Sequence, residues 1–110
     1  MLFMTLDRQW HFVVVTFELN VARTVWMDNV LVDYDVTNVN LPIYNSTAQL
    51  RLGTKIRDNG TRVFLGQADS QGVWQRTLLG GTTTEGQSAT AESELGFLYN
   101  AGNGRAYGEL

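Results

Sequence analysis

The sequence predicts an all-β fold closed by one short C-terminal helix, and three observations carry that prediction. Twelve Thr, eleven Val and eleven Gly stand beside a single Pro and a single Lys, a mixture that favours pleated strands joined by tight turns. Residues 10–19, WHFVVVTFEL, are apolar on both parities, as a strand covered on both faces reads. Asp28-Asn29 separates two extended runs and is a pair that tolerates the positive φ of a type I′ hairpin turn. The 44% apolar and 17% charged composition is that of one globular domain spanning residues 1–110.

The elements follow in order. Three consecutive Val argue against helix over 10–19, because β-branched side chains lose χ1 freedom against the preceding turn. This strand is expected at the centre of a sheet. After a short turn at Asn20, residues 23–27 and 30–36 form the hairpin. Residues 38–46 hold the only proline, Pro42, among Asn and Ser and read as a connection. A strand is expected at 48–53, a turn at Arg57-Asp58-Asn59-Gly60, and extended segments at 62–65 and 68–78 broken near Gly66. Residues 80–88 hold three Gly and three consecutive Thr without apolar period, the pattern of an exposed loop. The helix has Thr90 as its expected cap, Glu92 and Glu94 in the first turn, and Leu95, Leu98 and Tyr99 at helical spacing. Asn100-Ala101-Gly102 ends it. The expected core is Trp10, Val13, Val15, Val25, Leu52, Phe64, Val73, Trp74, Leu78 and Leu98.

Charge and cysteine content exclude whole classes of function. The net charge of -3 comes without a basic cluster able to neutralise several phosphates, so nucleic acid is not an expected partner. With no Cys and one His, neither a disulfide framework nor a zinc site of the usual ligands is available. No window approaches the ~20 apolar residues that span a bilayer, and the opening residues MLFMTLDR lack a charged n-region before an apolar stretch. Neither a membrane span nor an export signal is expected.

A string of landmarks runs along the chain: Trp10-His11-Phe12-Val13, Val25-Trp26-Met27-Asp28-Asn29, Leu50-Arg51-Leu52-Gly53, Phe64-Leu65-Gly66 with Asp69, residues 72–78 (GVWQRTL) and residues 94–102 (ELGFLYNAG). In content and order it resembles the laminin-G-like branch of the concanavalin A-like lectin and glucanase superfamily. The resemblance covers residues 9–107 and matches the latter part of that family's domain, whose opening strands have no counterpart. Ser70 and Gln71 depart from its usual acidic and apolar residues. The resemblance implies a jelly-roll-type β-sandwich of two curved antiparallel sheets.

Glycoside hydrolases of that superfamily carry Glu-x-Asp-x-x-Glu along one strand, and glycoside cleavage needs two carboxyl groups flanking the bond. No such string occurs here. Asp33 and Asp35 share one face of the second hairpin strand without the following Glu, while Glu92 and Glu94 point about 200° apart on a helix. All four read as solvated charge. His11 with Ser46 or Ser70 is the remaining nucleophilic pairing, and a lone His beside Trp10 in a buried strand reads as a satisfied core side chain. No catalytic residue is assigned and no enzyme is expected.

Family members hold Ca²⁺ at the sheet rim, and Asp33 with Asp35, or Asp58 with Asn59, would offer oxygen ligands here. These supply two ligands where calcium takes six or more, so no cofactor is expected, with Ca²⁺ the one candidate. For a glycan, Trp26 and Tyr44 are the stacking candidates, with burial in its hairpin the alternative for Trp26, and Asp33 and Asp35 complete the candidate ligand-binding residues. The sequons at Asn45 and Asn59 coincide with turn chemistry.

Two functions are therefore in contention: a non-catalytic structural or attachment module on a larger assembly, with a bacteriophage virion (capsid decoration or tail) as the setting, or a carbohydrate-binding domain acting outside cells. A sandwich without its opening strands leaves a sheet edge and an apolar face uncovered. Either residues 1–6 add an edge strand, or the chain is a homo-oligomer or docks on other subunits.

Overall fold

A computed structural model describes residues 2–4, 8–42, 47, 67–69 and 71–110. The fold is β-rich, with one short helix. Strands β1 (Leu2–Met4), β2 (Trp10–Glu18), β3 (Ala22–Met27), β4 (Val30–Asp35) and β5 (Gln67–Asp69) form an antiparallel sheet in the order β4-β3-β2-β1-β5. The predicted strand at 10–19 is thus the middle strand. Residues 2–4 do add a strand, set between β2 and β5 rather than at an edge. The expected strand at 48–53, the turn at 57–60 and the segment at 62–65 lie outside the described residues.

The predicted hairpin is present. Asp28 and Asn29 sit at φ 50° and 70°, the left-handed pair that a type I′ turn requires. The turn is also bound to the neighbouring strand: the Asp28 N–H donates to the Phe12 carbonyl at 2.8 Å, and the Asp28 carboxylate accepts the Phe12 N–H at 3.0 Å and meets His11 Nδ1 at 2.7 Å. A register shift follows, because Trp26 faces Leu31 whereas Val25 faces Asp33. Val32 is the extra residue, and this bulge brings Leu31 and Tyr34 onto the face that carries Trp26 and Thr24.

That face is the buried one. Phe12, Thr16, Ala22, Thr24, Trp26 and Leu31 are all buried, and Trp26 and Leu31 join Leu78, Ala89 and Leu95 in the core, with Val14, Tyr34 and Leu98 packed against it. The expected core took Val13 and Val15, on the opposite parity of β2 from the buried Phe12, and needs correction. Val15 is 70% exposed, Val13 and Val25 are half-buried, and Trp10, Val73 and Trp74 are exposed. Leu78 and Leu98 are where they were expected, and Leu52 and Phe64 are outside the described residues. A period of two makes each strand's choice all-or-none, and β2 offers apolar side chains to both sides.

Residues 71–80 form no regular strand, which shortens the expected 68–78 segment to Gln67–Asp69. The 80–88 stretch is more than an exposed loop. Gly86 N–H donates to the Leu31 carbonyl at 2.8 Å, Leu31 N–H to the Gln87 carbonyl at 2.9 Å, and Tyr34 N–H to Glu85 Oε1 at 3.0 Å. It covers the free edge of β4, where a strand's unpaired groups would otherwise face water. Helix α1 (Glu94–Tyr99) starts later than expected, with Ser93 rather than Thr90 as N-cap, its hydroxyl accepting the Gly96 N–H at 3.0 Å. Its end is as expected: Asn100, Ala101 and Gly102 all adopt positive φ.

Gly80 fixes the distance between the sheet and its cover. A Cβ at this position would overlap the Trp26 indole, whereas at Gly108 it would meet nothing. Gly80→Ala is therefore expected to destabilise the chain by about 1–3 kcal/mol in urea unfolding. Gly108→Ala is expected to stay within about 0.5 kcal/mol of the parent.

Candidate functional site

The inner face of the sheet is not fully covered. Between β2–β4 and the 77–84 segment lies an open cleft of about 490 Å³, within the range of small-ligand sites. Thr16, Thr24, Trp26 and Tyr34 form its floor. Leu78 to Gly81 form one wall, Val21 and Ala22 another, and Glu18, Thr77 and Thr82 to Thr84 complete the lining. Glu18 is the one formally charged group among them, so the cleft presents hydroxyls, apolar surface and a single carboxylate.

The floor is internally bonded. Trp26 Nε1–H donates to Thr24 Oγ1 at 2.9 Å, and the Thr24 and Thr16 hydroxyls bond to each other. Three N–H and O–H donors serve two bonds, which leaves one hydroxyl proton of the threonine pair available. Thr77 donates to the Phe17 carbonyl at 3.0 Å, and Thr82 to Gln87 Oε1 at 3.0 Å. The Thr77 oxygen retains its acceptor capacity, while that of Thr82 already accepts the Thr84 N–H at 3.1 Å.

The sequence-predicted candidates are dispersed. Trp26, a stacking candidate whose alternative is burial in its hairpin, is only 3% exposed and is a floor residue of the core, because its register opposite Val14 and Leu31 turns it inward. Tyr44, Asp58 and Asn59 lie outside the described residues, as do Ser46 and Ser70. Asp33 and Asp35 share the outward face, as expected, but Asp35 is engaged. Its Oδ1 accepts the Thr37 hydroxyl at 2.6 Å and the Thr37 N–H at 2.8 Å, and its Oδ2 meets Arg23 at 2.6 Å. The Thr37 bonds, followed by Arg23, hold this carboxyl below the usual aspartate range. Among the described residues, no three His, Cys, Asp or Glu side chains cluster as a metal site would need.

Glu94 is a further correction, since it is not merely solvated. Its Oε2 accepts the Leu79 N–H at 2.8 Å and its Oε1 pairs with Arg76, so helix α1 is tied to the cleft wall. The Leu79 bond first and the Arg76 bond second lower its pKa. The threonine lining was missed because Thr reads as a strand former; the alternation of Thr16, Thr24 and Trp26 on one face was the available signal.

Comparison with known proteins gives no match: no family model fits the chain, and neither a curated protein nor a solved structure matches it.

The depressed Glu94 pKa sets a sign. The stabilisation is complete above the ordinary glutamate value of 4.5 and is lost as pH falls through the lower folded-state value. On acidification below about pH 4.5, the parent is expected to lose thermal stability more steeply than Glu94→Gln, and the two midpoints should converge in acid.

Proposed function

We propose that this chain is a non-catalytic structural or attachment module of a larger assembly. The observation that carries the reading is β2, whose outward residues Val13, Val15 and Phe17 are apolar, with Val15 70% exposed at the centre of that face. A neighbouring subunit is the natural cover for such a face. The engaged carboxylates support a non-catalytic role: Asp35 and Glu94 accept main-chain N–H groups and pair with arginines, and they belong to opposite sides of the sheet. The assembly we propose is a bacteriophage virion, with this chain as capsid decoration or tail-associated protein in many copies, built as a jelly-roll-type sandwich. No helix among the described residues is long and apolar enough to cross a membrane.

Mass spectrometry of purified particles from the source is the test. The chain is expected at stoichiometric copy number, and its absence from the particles would refute the virion setting.

The cleft favours a second reading, a carbohydrate-binding domain. Its hydroxyls both donate and accept, its apolar wall suits the C–H face of a pyranose, and Glu18 offers two acceptor oxygens to a diol. On a glycan array this reading expects binding that drops on Glu18→Gln and on Tyr34→Ala with the circular dichroism spectrum unchanged. No binding by the parent chain would remove it.

A further inference from the structure

The floor of the cleft holds a buried donor without an acceptor. Thr16 and Thr24 are 8% and 9% exposed, their hydroxyls bond to each other, and Thr24 Oγ1 also accepts the Trp26 Nε1–H at 2.9 Å. Whichever threonine donates within the pair, the proton of the other has no acceptor among the described residues. A buried donor in this condition costs free energy until an acceptor reaches it, and both threonines line the cleft.

The mouth of the cleft has the opposite need. Glu18 follows Thr16 by two residues on the same face of β2, about 7 Å along the strand. It is exposed, its carboxylate has no partner among the described residues, and an ionised carboxylate only accepts. Between these two positions the surface is apolar, with Leu79 60% and Val21 45% exposed at the rim. No cation lines the cleft beside Glu18, so a ligand carrying a carboxylate would bring like charge against it.

We propose that the cleft takes one neutral hexopyranose and rejects the corresponding uronic acid. One hydroxyl oxygen of the sugar accepts the spare proton of the Thr16–Thr24 pair, neighbouring hydroxyls donate to Glu18, and the C–H face of the ring lies on Leu79 and Val21. The inference rests on the carbohydrate reading above and deepens it, by fixing the charge class of the sugar and the group that recognises each end of it. Selectivity of this kind comes from a repulsive element, here the unbalanced carboxylate, as much as from the attractive ones.

NMR titration of the isotope-labelled full chain with the methyl glycosides of glucose, galactose and their two uronic acids tests this. A neutral glycoside is expected to shift the Trp26 indole and the Thr16 and Thr24 amides saturably, and its uronic acid counterpart to bind roughly tenfold more weakly. Glu18→Gln is expected to narrow that gap to about threefold or less, whatever it does to the neutral sugar. In the double variant Thr16→Val/Thr24→Val, which keeps side-chain shape, binding of the neutral glycoside is expected to fall roughly tenfold or more. If that variant does not fold, the charge comparison on the parent and on Glu18→Gln decides by itself. A uronic acid bound as tightly as its neutral counterpart, a gap unchanged by Glu18→Gln, shifts confined to residues away from the cleft, or a folded threonine variant that binds like the parent would overturn the inference and leave the carbohydrate reading standing. No binding by any of the four glycosides would also overturn it, and the glycan array then shows whether the carbohydrate reading falls with it.

Discussion

The burial of Trp26 is the constraint on which the rest of the structure depends. Its indole lies against Gly80, its Nε1–H is satisfied by Thr24, and Leu31 stands opposite it on β4. Once this ring is inward, the period of two sends Thr24 and Ala22 inward with it, and pairing with β2 selects Phe12, Val14 and Thr16 for the same face. The glycine lets the 77–80 segment approach closely enough for Leu78 and Leu95 to complete the core. Because the floor then alternates Trp and Thr, the inner face carries both the core and a hydroxyl-lined cleft. The opposite face keeps its Val and Met, of which Val15 and Met27 are exposed.

Carboxylates hold the irregular parts of the chain. Asp28 accepts the Phe12 N–H, Asp35 that of Thr37, Glu85 that of Tyr34, Glu94 that of Leu79 and Glu109 that of Ala106. Each satisfies a main-chain donor at a turn, an edge or a segment end, where no strand or helix partner is present. This use of acidic side chains accounts for an ordered 80–88 segment in a glycine- and threonine-rich sequence. It also distributes these carboxylates around the sheet.

Local features were legible in the sequence where the chemistry is local. Asp28-Asn29 tolerates the positive φ of a tight turn whatever surrounds it, Asn100 and Gly102 stop a helix by the same property, and three consecutive Val made 10–19 a strand. What was not legible depended on distant contacts. The parity of β2 is set by Trp26 and the 77–98 cover, and with apolar residues on both sides nothing local distinguishes Val15 from Phe12. The bulge at Val32 is invisible without the register of β3, yet it decides that Tyr34 reaches the cleft. The 80–88 loop looked free because its partners, Leu31 and Tyr34, lie some fifty residues away. Ser93 rather than Thr90 caps the helix, its hydroxyl accepting the Gly96 N–H, while the Thr90 carbonyl accepts the Ser93 N–H and hydroxyl in the preceding turn.

The role of Trp26 in organising the inner face can be measured by amide and indole hydrogen exchange followed by NMR. The three tryptophans differ: Trp26 is buried and bonded to Thr24, while Trp10 and Trp74 are exposed. The account predicts that the Trp26 indole proton exchanges only through global unfolding, orders of magnitude more slowly than that of Trp74. A Trp26 indole proton exchanging as fast as that of Trp74 would contradict it.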